Sequence, residues 1–352
     1  MKKYDAVVFI GRFQPFHNAH FDIIKKAYEL TDYVILIAGS QYQPPSYKNP
    51  FQALTFDGYF DSIGKTIDNY LRVNFEDYYD EDRNYEFSFC FQRDIYGDNL
   101  WCKSVQEKVS ELFLGQEAEI AIIGCNKDES SYYLNMFPQW DLIEVPLDQN
   151  LSATQIRELY FVEEPNMSFL QGVVSSEVFN YLDEHKNTEW HNNIVNERNF
   201  IEKYKAQYAS FPYPPTFVTV DSVVFQSGHV LVVRRNAYPG KGLIALPGGF
   251  LDANSDASLE DAMIRELREE TGLKVPTPVL KGSIKDVKVF DSLYRSSRGR
   301  TITHAHNIVL SDGELPRVKG DSDADKAFWL PFSQLKSEQF FEDHYQIINY
   351  FL

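Results

Sequence analysis

Val7-Val-Phe-Ile-Gly-Arg-Phe-Gln-Pro-Phe-His-Asn-Ala-His20 sets the fold: a short apolar run, a Gly/Pro turn, and then the start of an amphipathic stretch that reaches Leu30. A continuous rather than alternating apolar run suits a strand buried on both faces, which is the habit of parallel sheets. The same alternation continues outward from this segment. Tyr33 to Ala38 is a second continuous run, and Glu119 to Ile123 follows a helix-like stretch from Lys103 to Leu114. Up to about Leu182 the pattern therefore predicts an α/β domain with a parallel sheet. Beyond it, Thr188 to Ser210 is polar and charged, and Phe211-Pro-Tyr-Pro-Pro215 forbids helix. Thr216 to Phe225 and His229 to Arg234 then read as a hairpin across Gln226-Ser227-Gly228, which opens an α+β domain. The expected division is residues 1–187, a linker over 188–212, and a second domain over 213–352.

Composition narrows the function classes. The 352 residues carry 34 Lys+Arg against 51 Asp+Glu, a formal charge of −17 that opposes any general grip on nucleic acid. No apolar run exceeds the six residues of Tyr33 to Ala38, whereas a spanning helix needs about 20, so no membrane segment and no secretory leader are expected. Cys90, Cys102 and Cys125 are an odd, widely spaced set without a Cys-x-x-Cys pair, which predicts the reducing cytoplasm. The oligomeric state, including a homo-oligomer, is left open. The acidic, Tyr-rich stretch from Phe75 to Tyr85 reads as a solvated insertion.

A strand, a turn with Gly11 and a helix N-terminus together make an anion site. His17 and His20, at i and i+3, share one face of the first turn, so both imidazoles can reach the oxygens of one polyphosphate. Alone, the pair also fits packing histidines or a metal pair. Leu151-Ser-Ala-Thr-Gln-Ile-Arg157 adds the hydroxyls of Ser152 and Thr154 and a guanidinium at another helix start, a second phosphate clamp.

These two motifs resemble the His-x-Gly-His and Ser/Thr-x-x-x-Ile-Arg elements of the nucleotidyltransferase superfamily, with Ala19 in place of the glycine. The longer Gly-Arg-Phe-Gln-Pro-Phe-His string resembles the archaeal-type nicotinamide-mononucleotide (NMN) adenylyltransferases, which also occur in bacteria fused to a hydrolase. Gly39-Ser40 with Asn49-Pro50-Phe51, Arg93 to Trp101, and Gly124 to Tyr133 extend the likeness over the whole first domain. The resemblance implies a Rossmann-like nucleotidyltransferase fold and transfer of AMP from ATP to NMN, with Mg²⁺ on the triphosphate. It implies His17, His20 and Arg157 as catalytic groups, and Gly11, Arg12, Phe13, Gly39, Asn49, Asp94, Trp101, Gly124, Lys127, Asp128, Ser152 and Thr154 as substrate contacts. Trp101 would stack on the nicotinamide ring and Asp94 hold its carboxamide, although a core tryptophan is the other reading of Trp101. Thr55-Phe-Asp-Gly58 stands where the family usually has a Glu-Arg pair.

In the second half, Leu246-Pro-Gly-Gly-Phe250 and Arg265-Glu-Leu-Arg-Glu-Glu-Thr-Gly-Leu273 resemble the Nudix box. On a helix from Ser258 to Glu270, the glutamates Glu266, Glu269 and Glu270 project from neighbouring turns, and carboxylates so close call for a divalent cation, Mg²⁺ or Mn²⁺. Glu269 is the expected catalytic member, and Arg265 the expected ion-pair support. The spacer after Gly249 is about two residues longer than usual, and Ala257 stands where the family has a glutamate, with Asp256 beside it. Arg234 to Gly249 and Ser297 to His304 are similar to ADP-ribose pyrophosphatase domains, which implies ADP-ribose as the hydrolysed substrate. Asp321, Asp323 and Asp325 lie on a plausible loop for the hydrolytic base. The alternatives are a second domain that senses nucleotide without hydrolysing it, and a transferase with another phosphorylated acceptor.

Overall fold

The computed structural model describes residues 2–75, 85–126, 129–146, 151–319 and 327–352. The insertion expected over 75–85, Lys127, Asp128, and Asp321, Asp323 and Asp325 lie wholly or largely outside the described residues. The chain divides into two compact units, Met1–Val195 and Asn196–Leu352.

The first unit runs β1 (Ala6–Gly11), α1 (Asn18–Tyr28), β2 (Tyr33–Ala38), α2 (Asp57–Asn74), β3 (Glu86–Phe91), α3 (Asp98–Leu112), β4 (Ile120–Gly124), β5 (Asp141–Glu144), α4 (Ala153–Tyr160), α5 (Met167–Val173) and α6 (Ser176–His185). Its five strands pair in parallel in the order β3-β2-β1-β4-β5. β1 and β2 are almost fully buried along their length, as their unbroken apolar runs require, and distinct apolar cores cover the two faces of the sheet. The strand order reverses between β1 and β4. The carboxyl ends of those two strands, Gly11 and Gly124, therefore open onto the crevice in which doubly wound sheets hold ligands.

The segment expected as a linker contains a helix, α7 (Glu189–Ala206). Its first turns belong to the first unit's core: Trp190 lies 5.4 Å from the Phe51 ring, Ile194 and Val195 are buried, and His191 Nε2 pairs with the Tyr160 carbonyl at 2.9 Å. The polar composition of 188–210 hides this, because a few large side chains on one face suffice to seat a helix.

The second unit continues with β6 (Thr216–Gln226), β7 (His229–Arg234), β8 (Ile244–Ala245), β9 (Gly248–Phe250), α8 (Leu259–Thr271), α9 (Thr277–Gly282), β10 (Ile284–Phe290), β11 (Arg300–Val309), β12 (Ala327–Pro331) and α10 (His344–Phe351). The sheet is mixed, ordered β10-β11-β6-β7-β12, with β8 on β7, β9 on β6, and β11 parallel to β6. The β6–β7 hairpin turns through Ser227 and Gly228, both at positive φ (46° and 73°), as the Ser-Gly pair predicts. Ala262, Met263, Ile264 and Leu267 of α8 pack on Val220 and Val224 of β6, and its glutamates Glu266 and Glu270 lie against the Gly248–Gly249 turn.

Among the described residues no helix is long and apolar enough to cross a membrane.

The placement of Trp190, Ile194 and Val195 gives a truncation test. Burying a large apolar side chain stabilises by about 1.5–3 kcal/mol, so a fragment ending at 187 loses roughly 5 kcal/mol relative to one ending at 206. Thermal unfolding of the two fragments should differ by on the order of 10 °C; equal midpoints would show that the start of α7 adds nothing to the core.

Candidate active sites

The first site is built on the β1–α1 turn. Gly11 ends β1 with the Phe13 ring so close that an added Cβ would lie 2.8 Å from it. Phe13 itself is buried at φ 54°, a left-handed conformation unusual for a phenylalanine, and it supports the turn from below rather than presenting its ring to a ligand. Tyr59 from α2 fastens the turn: its hydroxyl donates to the Phe13 carbonyl (2.8 Å) and accepts from the Phe16 amide (2.5 Å).

His17 is the N-cap of α1 and lies stacked on His20 with ring centroids 3.8 Å apart. His20 Nδ1 accepts the His17 amide at 3.3 Å, which leaves the ring proton on Nε2. Phe13 and Phe16 hold the His20 ring at 5.2 and 5.8 Å. The two imidazoles thus share the helix N-terminus, where the backbone dipole favours an anion.

Arg157 of α4 reaches the same turn from 143 positions away, donating from Nη1 to the Gln14 carbonyl at 2.6 Å and from Nη2 to Thr154 Oγ1 at 3.1 Å. Burial, and then the neighbouring Arg12 guanidinium, push its pKa down to about 10. Its Nε is buried and meets no partner among the described residues. Ser152 caps α4 by accepting the Gln155 amide.

Gly39 and Arg12 sit beside Gly11: the Gly39 amide donates to the Gly11 carbonyl at 2.9 Å, and the exposed Arg12 stem passes near Gly39. Asp94 accepts from Ser40 Oγ at 3.0 Å at the end of β3. Asn49 is buried with Oδ1 unpartnered among the described residues. Gly124 closes β4, with Leu134 where its Cβ would be.

Thus His17, His20, Arg157, Thr154, Gly11, Arg12 and Gly39 converge, and Asn49, Asp94 and Gly124 lie on adjoining strand ends or loops. Trp101 is half-buried near the start of α3, edge-on to Tyr133 at 6.2 Å and tilted on Phe137 at 6.0 Å. Gln14 and Tyr59 escape a reading of the sequence. Gln14, fully buried, clamps Phe51 by both its backbone groups (2.8 and 2.6 Å) and so fixes the Asn49 loop against the histidine turn.

The second site is a glycine turn pressed between carboxylates. α8 starts at the Ser258 cap and stops at Gly272, left-handed at φ 61°, close to the expected limits. The Gly248 amide donates to Glu270 Oε2 at 3.0 Å. A Cβ on Gly248 would fall 2.1 Å from the Val220 carbonyl, and one on Gly249 would strike the Glu266 carboxylate at 2.5 Å. Burial, with Glu266 and Asp221 adding to it against the Gly248 bond, pushes the Glu270 carboxyl up to about 7, and burial also raises Glu266.

Arg265 gathers the remaining carboxylates. It binds Asp256 through Nε and Nη2 (2.9 and 2.8 Å), and its Nη1 reaches Glu266 (2.8 Å) and Glu269 (3.0 Å). Asp256 is held down to about 2 by that guanidinium. Asp256, not its neighbour Ala257, lies against Arg265, so a carboxylate contacts Arg265 from the spacer.

Among the described residues no three His, Cys, Asp or Glu side chains are drawn together as an ion-ready set. The donors nonetheless suit a hard divalent cation. Glu266 and Glu270 flank one turn with raised carboxyls, which a cation would relieve, and Arg265 Nη1 is the group it would displace. Asp221, buried in β6 with Thr303 donating to it at 2.6 Å, is a further carboxylate that sequence spacing cannot place, because it arrives from a strand far from the box.

With both sites laid out, the comparisons fall on them in turn. A cytidylyltransferase-like family model matches residues 8–159, and a NUDIX domain model matches 215–351. The chain is 31% identical to the nicotinamide/nicotinic acid mononucleotide adenylyltransferase of Acinetobacter baylyi, over 55% of this chain and 100% of that protein. It is 31% identical to the ADP-ribose pyrophosphatase of Methanocaldococcus jannaschii, over 44% of this chain and 80% of that one. A bifunctional NMN adenylyltransferase/ADP-ribose pyrophosphatase from Francisella tularensis, solved with AMP and a manganese ion, superposes with a TM-score of 0.83 at 33% identity, covering 99% of this chain and 98% of its own. The chain belongs to the bifunctional NMN adenylyltransferase/ADP-ribose pyrophosphatase family. Membership accounts for both halves at once, a Rossmann-like parallel sheet followed by a mixed-sheet Nudix domain.

For this bifunctional chain the turn geometry makes a direct prediction. Gly248→Ala has no room for its methyl group, so the Gly248–Glu270 contact should open and the Nudix activity fall by at least 10², with the transferase unchanged. Retained hydrolysis in a steady-state assay would show that the close approach is not required.

Proposed function

We propose that the chain makes NAD from ATP and NMN in its first unit and hydrolyses ADP-ribose in its second. The observation that carries the first activity is the convergence of the stacked His17–His20 pair with Arg157 at the switch point of the parallel sheet. A 5′-phosphate oxygen of NMN attacks the α-phosphorus of ATP, and the bond to the β-phosphate oxygen breaks, releasing pyrophosphate. No covalent intermediate is needed, and catalysis is positioning and charge stabilisation. His20 Nε2–H, His17 and Arg157 are assigned to the phosphate charge, with the Ser152–Thr154 end of α4 and the Gly11–Phe13 backbone around it. Arg12, exposed beside Gly39 and near Arg157, is assigned to the triphosphate. Gly39, Asn49, Asp94, Trp101 and Gly124 are assigned to the substrates. Lys127 and Asp128 remain expectations of the family likeness.

For the second activity, Glu266, Glu269 and Glu270 are the residues that would hold the divalent cation, Mg²⁺ or Mn²⁺, and Glu269 is the most exposed of the three. Such a cation, when bound, neutralises the pyrophosphate and favours ionisation of water. The protein's part is to hold those carboxylates with the Gly248 amide and Arg265. Water adds to one phosphorus of ADP-ribose, the bridging P–O bond breaks, and AMP and ribose 5-phosphate leave. Retention of all three glutamates on one helix face favours hydrolysis over a purely nucleotide-sensing second domain. We place both activities in the cytoplasm.

His20→Ala should lower transferase kcat by roughly 10² or more while ADP-ribose hydrolysis stays at the wild-type rate. Near-normal NAD formation would remove His20 from the chemistry. Conversely, Glu269→Gln should cut ADP-ribose hydrolysis by about 10² or more and raise the divalent-ion concentration needed for half-maximal rate, leaving NAD formation intact. An unchanged ion titration would detach Glu269 from the metal.

A further inference from the structure

A second group of charges lies outside the Nudix box, on the segment that precedes α10. Residues 340–344 are stitched alongside the strand that leads into the box. Phe340 bridges Ile244, the Phe341 amide donates to the Ile244 carbonyl at 2.8 Å, and the Leu246 amide donates to His344 Nδ1 at 2.8 Å. Two residues beyond Leu246, the Gly248 amide holds Glu270. Glu342 sits inside this stitch at φ 44°, a left-handed conformation that is strained for a glutamate. Strain of that kind persists only where the surroundings impose it, and here pairing on both sides of residue 342 does so.

The Glu342 carboxylate is anchored by a serine and not by an arginine. Its Oε1 accepts from the Ser297 amide (2.9 Å) and Ser297 Oγ (3.2 Å), and among the described residues Oε2 accepts no hydrogen bond. Three guanidiniums surround it. Arg295 is committed to Asp343, with bonds of 2.8 and 2.9 Å. Arg298 and Arg235 form no ion pair among the described residues; Arg298 lies 5.2 Å from the Phe250 ring, next to Gly249, and its Nε is buried without a partner. Arg235 stacks on Phe341 at 3.9 Å and feels Glu342, Glu270 and Asp221 together. Arg235, with no ion pair among the described residues, thus interacts with the half-committed Glu342 on one side and with Glu270 of the box on the other, while Arg298 lies over Phe250 beside the glycine turn.

Resting on the proposed pyrophosphatase reading, we propose that Glu342 is the general base of the Nudix site, with Arg235 and Arg298 receiving the pyrophosphate charge. Oε2 takes a proton from water as the water oxygen bonds to phosphorus. The bridging P–O bond breaks with its electron pair leaving on the departing phosphate, and the proton passes on to solvent. Burial raises the Glu342 carboxyl while Arg298, the Ser297 amide and Arg295 lower it and Asp343 raises it, so its proton affinity is set by groups from the 291–299 loop and from its own segment.

Glu342→Gln keeps the Ser297 anchor and removes the basicity. On the full chain it should lower kcat for ADP-ribose by 10²–10⁴ with KM and the divalent-ion requirement within about twofold, and leave in the kcat–pH profile only the acidic fall that protonation of the metal-side glutamates causes. Glu342→Asp, which tolerates the left-handed backbone but withdraws the carboxylate, should fall between. Calorimetric binding of AMP in metal-free buffer should stay within about twofold for both variants, and NAD formation should not change. A Glu342→Gln enzyme with more than a third of wild-type kcat, or with altered KM and AMP affinity at unchanged kcat, overturns the assignment and leaves Glu342 a structural partner of Ser297. If the wild type cleaves a different nucleoside diphosphate derivative, the substrate reading fails while the same comparison on that compound still decides Glu342; if it cleaves none, both fall.

Discussion

A chain with a formal charge of −17 that handles nucleotide phosphates has to gather positive potential locally, and much of the architecture answers that constraint. In the first unit the answer is made of backbone and fixed cations. The β1–α1 turn brings a helix N-terminus, two imidazoles and the Arg12 and Arg157 guanidiniums to one strand end, and the Arg157–Gln14 bond ties α4 back to that turn. In the second unit the box itself is acidic, so the compensation is divided. Arg265 restrains Asp256, Glu266 and Glu269, the proposed cation would offset the glutamates' charge, and Arg235 interacts with Glu270.

What supports these charged groups is mostly neutral and buried. Gln14 and Tyr59 satisfy backbone groups that would otherwise lie unpaired beneath the first site, and His344, its imidazole pushed down to about 3 by burial, stays neutral and can accept the Leu246 amide. Leaving such a group unpaired costs about 1–3 kcal/mol, comparable to the contacts a substrate makes, so the supporting bonds bear directly on site geometry.

Local pattern carried the reading where function lies on contiguous segments. Val7 to His20 and Arg265 to Leu273 each hold a strand or helix together with its chemistry, and their elements formed within a residue or two of expectation. Where the structure relies on pairing distant in sequence, the pattern is silent. Asp221, and Glu342 as proposed, come to the second unit's site from a strand and a loop with no motif of their own, and the Arg265–Asp256 contact is made across the spacer rather than within the box. The polar stretch after Thr188 conceals a helix because Trp190, Ile194 and Val195 are too few to alter its composition, yet they are placed to fill the first core.

The central claim is that one acidic chain carries two locally compensated phosphate sites with separate chemistries. The most direct measurement is a product analysis of the intact protein supplied with ATP, NMN and ADP-ribose together, with and without a chelator strong enough to strip Mg²⁺ and Mn²⁺. The account predicts NAD with equimolar pyrophosphate and AMP with equimolar ribose 5-phosphate, both pairs dependent on the ion. Formation of only one pair, or AMP arising from ATP without ribose 5-phosphate, would contradict it.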